Sequence, residues 1–377
     1  MPLPDDVQLI SVDDHVIEHA NVWLDRLPSR YRTVAPQIKR NEVGHDIWHY
    51  EGKTCVNIAL NAVAGKTREE YGLEPVAMDD IIPGCYDPLE RIKDMDLDGI
   101  QASLNFPSFA GFAGSRFAEL EDPDLALACV QAYNDWHIEE WCGAAPDRFI
   151  PLVILPYWDI KASVAEIRRT VRMGAKAISF SEAPQKLGEP SFYSDHWDPL
   201  LREAHEASMP LCMHFGTGGA PSASVDAPFA VSIALFGMNS QYTVTELLFS
   251  PVFRKFPELK VCLSEGGIGW IPYVLERCDY TWERHRYYQD LELDIPPSEL
   301  FRDHVFGCFI ADEAGLDAIH RIGVDQVMWE CDYPHSDSNW PNSRKMLMQS
   351  LANLSDGDAR KIAEDNARRV FNFTGGR

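Results

Sequence analysis

Two short strings carry residues that could hold a metal ion: Ser11-Val12-Asp13-Asp14-His15 near the start and Trp329-Glu330-Cys331-Asp332-Tyr333-Pro334-His335 near the end. Asp13 and His15 stand two apart in an apolar-led run that reads as a strand. Side chains alternate across a strand, so this spacing places both on one face as adjacent ligands. His214 ends the apolar run 210–214, and Asp332 ends the run 326–332. Two imidazoles and two carboxylates form an open, mixed nitrogen–oxygen set with room for water. Such a set suits one divalent ion, Zn²⁺ first, with Mn²⁺ or Fe²⁺ as alternatives. Taken singly, each residue has a plainer reading: a strand-end Asp as a helix N-cap, a lone His as a satisfied structural group. Their joint placement at strand ends is what points to a metal.

The elements that must position them alternate. Runs of strand length at 9–13, 100–106, 150–156, 176–181, 211–215, 259–264, 305–310 and 327–331 are separated by segments of helical period, among them 125–141, 160–172 and 198–208. Alternating β and α signals predict a parallel sheet. Eight such strands, with no GxGxxG after the first, predict an α/β fold of the closed (β/α)8 type rather than an open doubly wound sheet. Ligand residues at C-terminal strand ends then fall on the active face of a barrel. Residues 20–90, rich in Pro, Gly, Tyr and charge, break the rhythm and read as a long insertion after strand one, a cap. Residues 217–230 form a second long loop directly after His214, and 356–373 reads as a C-terminal helix. Long loops on that face usually shape a substrate pocket. A single domain over 1–377 is expected.

The bulk properties narrow the partners. The 377 residues are 45% hydrophobic and 24% charged, as in a globular protein with a sizeable core. A net charge of -24, from 58 acidic against 34 basic residues, repels phosphate backbones and makes nucleic acid a poor partner. It also repels anionic substrates at long range, so the site must supply local cations. The nine cysteines are scattered and include no CxxC, which argues against a disulfide framework and for a reducing cytoplasm. No basic, apolar leader opens the chain, and no apolar run reaches the length of a membrane span. A homodimer would be ordinary for a barrel of this size.

Further residues could take part in chemistry. His335 follows Asp332 by three and could shuttle a proton or touch substrate. Glu18 and His19 lie just after the first motif. Lys176 opens strand four, the wrong end for a bridging carboxylated Lys. Aromatic residues near strand ends, Phe106 after strand two and Trp270 after strand six, suit a cleft for aromatic or alicyclic substrates, although such rings more often only pack loops. Arg116 could hold a substrate carboxylate.

With these motifs in view, the chain resembles the amidohydrolase superfamily, in the branch related to aminocarboxymuconate semialdehyde decarboxylase. The similarity runs from Asp13-x-His15 to the Asn366-Ala-Arg-Arg-Val-Phe371 tail. In that branch the first strand carries H-x-H, D-x-H or E-x-H, a His ends strand five and an Asp ends strand eight. Asp13, His15, His214 and Asp332 match these positions one by one. The resemblance implies a distorted TIM barrel with one catalytic divalent metal, commonly zinc.

One position departs from the decarboxylase pattern. At strand six the prototype has a His followed by glycines, whereas here Ser264-Glu265-Gly266-Gly267 puts Glu265 in its place. A carboxylate could serve as general base if desolvation raised its pKa, or could orient a ligand His. The expected activity is metal-dependent hydrolysis or decarboxylation of a small carboxylated aromatic or ring-derived substrate, with Glu265 or His335 moving the proton and the Glu tilting the balance towards hydrolysis. The alternative is a dinuclear non-haem iron oxygenase on the same barrel, with Glu18, His19, Glu265 and His335 as extra candidate ligands for a second metal. A non-catalytic scaffold would be expected to have lost some of the ligand set.

Overall fold

The computed structural model describes residues 3–4, 6–289, 291 and 294–376. It divides into two compact units interleaved along the chain, one mainly of residues 8–179 with 331–346, the other mainly of 180–330 with 347–372.

The first unit opens with β1 (Leu9–Val16), in which all eight residues are buried. A strand buried on both faces is expected of a parallel sheet covered on each side. The insertion after it forms an antiparallel sheet of β2 (Gln37–Arg40), β3 (Asp46–Tyr50) and β4 (Lys53–Val56), followed by short single turns. Trp48 on β3 stacks on Phe109, ring centroids 4.0 Å apart. Helix Pro88–Asp98 then starts at Asp87, whose carboxylate accepts the Leu89 and Glu90 N–H groups, and ends at Gly99 with φ +74°. That left-handed residue reverses the chain at no steric cost and feeds β5 (Ile100–Pro107), the parallel partner of β1. The third strand position is split into β6 (Phe149–Ile150), paired with β5, and β7 (Leu152–Val153), paired with β8 (Ala177–Ser179). Pro151 lies at the split, as a residue without an N–H must interrupt a ladder.

The second unit holds four parallel strands in sequential order: β9 (Leu211–His214), β10 (Val261–Ser264), β11 (Val305–Phe309) and β12 (Val327–Trp329). Every residue in them is buried. Helix Asp198–Glu206 precedes β9, Phe236–Phe249 precedes β10, Ile271–His285 and Pro297–His304 precede β11, and the short helices Glu313–Asp317 and Ile319–Ile322 precede β12. The C-terminal tail is helical from Asp356 to Val370, with a widened turn at Lys361–Asp365, and Asn366 donates to the Val327 carbonyl.

The parallel strands thus fall at all eight expected positions. All nine cysteines are free thiols. Among the described residues, no helix is long and apolar enough to cross a membrane.

Candidate metal and active centre

In the first unit, Asp13, His15, Asp332 and His335 come together. His15 Nε2 lies 3.4 Å from Asp13 Oδ1 and 3.3 Å from Asp332 Oδ1. His335 Nδ1 lies 3.0 Å from Asp332 Oδ1. One ligand atom each from His15, Asp332 and His335 sits within 4.8 Å of the others. Asp13, His15 and Asp332 are wholly buried, and His335 is nearly so.

Local backbone geometry explains the convergence. β1 carries a register shift between Ser11 and Asp14, so an extra residue bulges where Asp13 stands. The chain after β12 pairs back onto this strand: Asp332 N–H donates to the Asp13 carbonyl at 2.8 Å, and His15 N–H donates to the Tyr333 carbonyl at 2.6 Å. Asp332 itself has φ +60°, a left-handed conformation that non-glycine residues adopt at a cost and that clusters at functional sites.

Further groups hold this arrangement. Ser11 Oγ accepts Cys331 N–H at 2.8 Å and donates to Asp14 Oδ1 at 3.0 Å. Asp14 also accepts Tyr333 N–H, and burial, partly opposed by Arg91, pushes its carboxyl up to about 7. Arg91 is fully buried and donates to the His15 carbonyl at 2.5 Å and the Gly84 carbonyl at 2.7 Å. Glu18, also fully buried, accepts the backbone N–H groups of Ser108, Phe109 and Ala110 at 2.8–3.1 Å, fixing the loop after β5. Burial raises its pKa, with those three donors opposing. The rings of Phe106 and Phe112 from that strand and loop lie 5.9 and 4.9 Å from the His15 ring. Arg116 donates from Nε to the Phe109 carbonyl at 3.2 Å, and its guanidinium is 4.0 Å from Glu119.

In the second unit, His214 and Glu265 are neighbours, Nε2 to Oε2 at 3.8 Å. His214 Nδ1 is 2.7 Å from the Phe215 carbonyl. A carbonyl can only accept, so Nδ1 carries the proton and Nε2 keeps the lone pair that a metal needs. Glu265 has φ +54°, and its N–H donates to the buried Glu330 carboxylate at 3.1 Å. Trp270 donates from its indole to the Gly266 carbonyl at 2.8 Å. Glu182, missed in the sequence, gathers Gly216 N–H, Gly218 N–H and the Asn239 amide, and so holds the loop after His214. Burial pushes its pKa up to about 7, against those three hydrogen bonds.

The donor chemistry fits a divalent cation. Two fully buried carboxylates facing one imidazole concentrate negative charge away from water, and buried charge is stable when paired or bound to metal. His214 presents the correct tautomer.

Residues 19–373 match the family described as Amidohydrolase. The chain is similar to gamma-resorcylate decarboxylase of Rhizobium sp. (strain MTP-10005), 26% identical over 310 residues, covering 76% of this chain and 87% of that protein. It is similar to 2-amino-3-carboxymuconate-6-semialdehyde decarboxylase of Dictyostelium discoideum, 26% identical over 267 residues, covering 68% of each. The fold is that of 5-carboxyvanillate decarboxylase of Novosphingobium aromaticivorans, solved with manganese and 4-hydroxy-3-methoxy-5-nitrobenzoic acid, at TM-score 0.69 and 21% identity over 97% of this chain and 96% of that one. The α/β reading therefore stands as a distorted (β/α)8 barrel of the amidohydrolase type. The chain is an enzyme that belongs to the amidohydrolase family, in the branch that includes aminocarboxymuconate semialdehyde decarboxylase.

Proposed function

We propose that this enzyme decarboxylates a small carboxylated aromatic acid with a divalent ion, for which Asp13, His15 and Asp332 are the proposed ligands in the first unit and His214 the proposed ligand in the second. The observation that carries the reading is the buried set in which His15 Nε2 faces Asp13 and Asp332 at 3.4 and 3.3 Å while His335 holds Asp332. When bound, the ion would supply Lewis acidity towards a carboxylate or phenolic oxygen. The C–C bond to the carboxylate breaks, CO₂ leaves, and the ring carbon takes a proton. His335, whose Nδ1 lies 3.0 Å from Asp332 Oδ1, is assigned the proton transfer, and Glu265 the orientation or deprotonation of groups beside His214. Phe106, Arg116 and Trp270 are assigned to the substrate, as pocket walls and a carboxylate anchor.

The Glu265-for-His exchange leans towards hydrolysis in the sequence; the two sequence relatives described above, both decarboxylases, move the balance to loss of CO₂ and away from the dinuclear iron oxygenase. Manganese in a solved relative supports Mn²⁺ beside Zn²⁺ as the ion. Nine free thiols support a reducing, cytoplasmic location. The test is CO₂ release from a panel of hydroxybenzoates and carboxylated aromatics by protein of measured metal content. Release of CO₂ that depends on the metal supports the reading. Cleavage of lactones or amides without CO₂ would overturn it in favour of hydrolysis.

A further inference from the structure

The insertion after β1 and the loop carrying His335 wall a single cavity of about 270 Å³, lined among others by Val63, Lys66, Tyr71, His335, Ser338 and Trp340. All of these residues belong to the first unit. A cavity of roughly 150 Å³ already holds a benzene ring, so this one has room for a ring with substituents.

Its walls are fixed by hydrogen bonds on both sides. Val63 N–H donates to the Pro334 carbonyl at 2.9 Å, which ties the cap to the residue preceding His335. Lys66 N–H closes a turn onto the Val63 carbonyl at 2.9 Å, with Gly65 at φ +84° inside the turn. Trp340 is held through its indole N–H to the Asp94 carbonyl at 3.0 Å. The ring wall and the cation are therefore built onto the same frame as His335.

Lys66 is half-buried. Lys93, Lys255 and Lys361 are ion-paired with carboxylates. No such partner lies within ion-pair distance of Lys66 among the described residues. The nearby Glu70 carboxylate accepts Thr67 N–H at 2.7 Å in a capping box, and Lys66 acts on it only through space. In a chain of net charge -24, a lysine that lines a cavity beside a candidate proton carrier and has no carboxylate partner among the described residues is what a dianionic ligand requires.

We propose that Lys66 is a specificity residue that selects ring substrates bearing a second anionic group besides the carboxylate that is lost. The inference deepens the decarboxylase reading and rests on it for the identity of the lost group. A carboxylate or phenolate at the far end of the ring meets the Lys66 ammonium, Trp340 provides a wall for the ring, and His335 stands at the same cavity.

The test measures equilibrium binding by tryptophan fluorescence to the metal-loaded full chain, using 5-carboxyvanillate as diacid and 2,6-dihydroxybenzoate as monoacid. Wild type, Lys66→Met and Lys66→Arg are compared after thermal melts confirm folding. The expected result is a diacid-to-monoacid preference that falls at least tenfold in Lys66→Met and survives in Lys66→Arg. An unchanged preference in Lys66→Met, or an equal loss in both variants, overturns the proposal. Because the readout is binding, a wild type that shows the Lys66-dependent preference yet releases no CO₂ supports the cavity assignment and refutes only the decarboxylase reading.

Discussion

The imidazole of His335 lies flat against that of His15, ring centroids 3.6 Å apart and planes 18° from parallel, while its Nδ1 stays 3.0 Å from Asp332 Oδ1. A candidate proton carrier and a candidate ligand are thus packed as one unit, with a shared carboxylate fixing both. With Nδ1 turned towards Asp332, the proton exchange proposed for this ring would run through Nε2. The stack also explains why the two short motifs, more than 300 residues apart in sequence, act on the same atoms.

His335→Asn should separate the two roles of this ring. Its side-chain amide can still donate to Asp332 but cannot carry a proton. Loss of general acid–base catalysis is worth roughly 10²–10⁴ in rate, so kcat should fall by that order while metal content and KM change little. Steady-state kinetics with metal analysis checks this. Near-wild-type kcat in the Asn variant would reduce His335 to a positioning role.

Metal removal should abolish activity and lower the melting temperature together. A ligand that binds only the folded state stabilises by about 2.7 kcal/mol at a hundredfold excess over Kd. Dialysis against a chelator followed by calorimetry should show that loss, and Mn²⁺ or Zn²⁺ should restore it. Asp332→Asn should bind the ion at least ~10²-fold more weakly, since even partners outside the ligand set cost 10–100-fold. Elemental analysis should return one ion per chain; two, with iron dominant, would revive the oxygenase.

Much of the barrel was legible because strands of a parallel sheet are buried on both faces and read as nearly continuous apolar runs. The eight positions, and the ligand candidates at their ends, follow from that pattern. Boundaries shifted where local chemistry intervened: the third strand breaks at Pro151, and the helix expected at 125–141 begins at Pro123 behind the Asp122 cap and widens after Trp136. Asp14, Arg91 and Glu182 escaped notice, and Glu18 was read only as a spare metal ligand and not as a buried anchor, because a charged residue in a sequence reads as surface. Each is buried because the fold delivers partners from distant segments, as Glu18 is satisfied by N–H groups some ninety residues away. Glu265 and Asp332, both left-handed, carry no local signal for that conformation.

Glu18→Ala should destabilise the protein rather than alter its chemistry directly. The substitution strands the N–H groups of Ser108, Phe109 and Ala110, which the carboxylate now accepts. At about 1–3 kcal/mol for each buried donor left unmade, the loss should be on the order of 3 kcal/mol or more. Glu18→Gln keeps an oxygen acceptor and should recover part of it. Urea unfolding of the three proteins measures the difference, and equal stability of Glu18→Ala and wild type would show that water satisfies the loop.

Glu182 should make stability fall as pH rises towards neutrality. Its carboxyl is raised by burial from 4.5 to about 7, so between these values the folded state holds a proton that the unfolded state has released. The stabilisation is fully present below pH 4.5 and is lost as pH rises through about 7. At about 1.4 kcal/mol per pH unit, it amounts to a few kcal/mol at most. Glu182→Gln, neutral throughout, should remove this slope and be more stable than wild type at pH 8 relative to pH 5, provided that its amide preserves the contacts to Gly216, Gly218 and Asn239. Chemical denaturation at both pH values decides it. A wild type whose stability is flat or rising across that window, after matching against the variant, would place a charged Glu182 carboxylate in the loop at all pH values and assign its three donors to holding that charge.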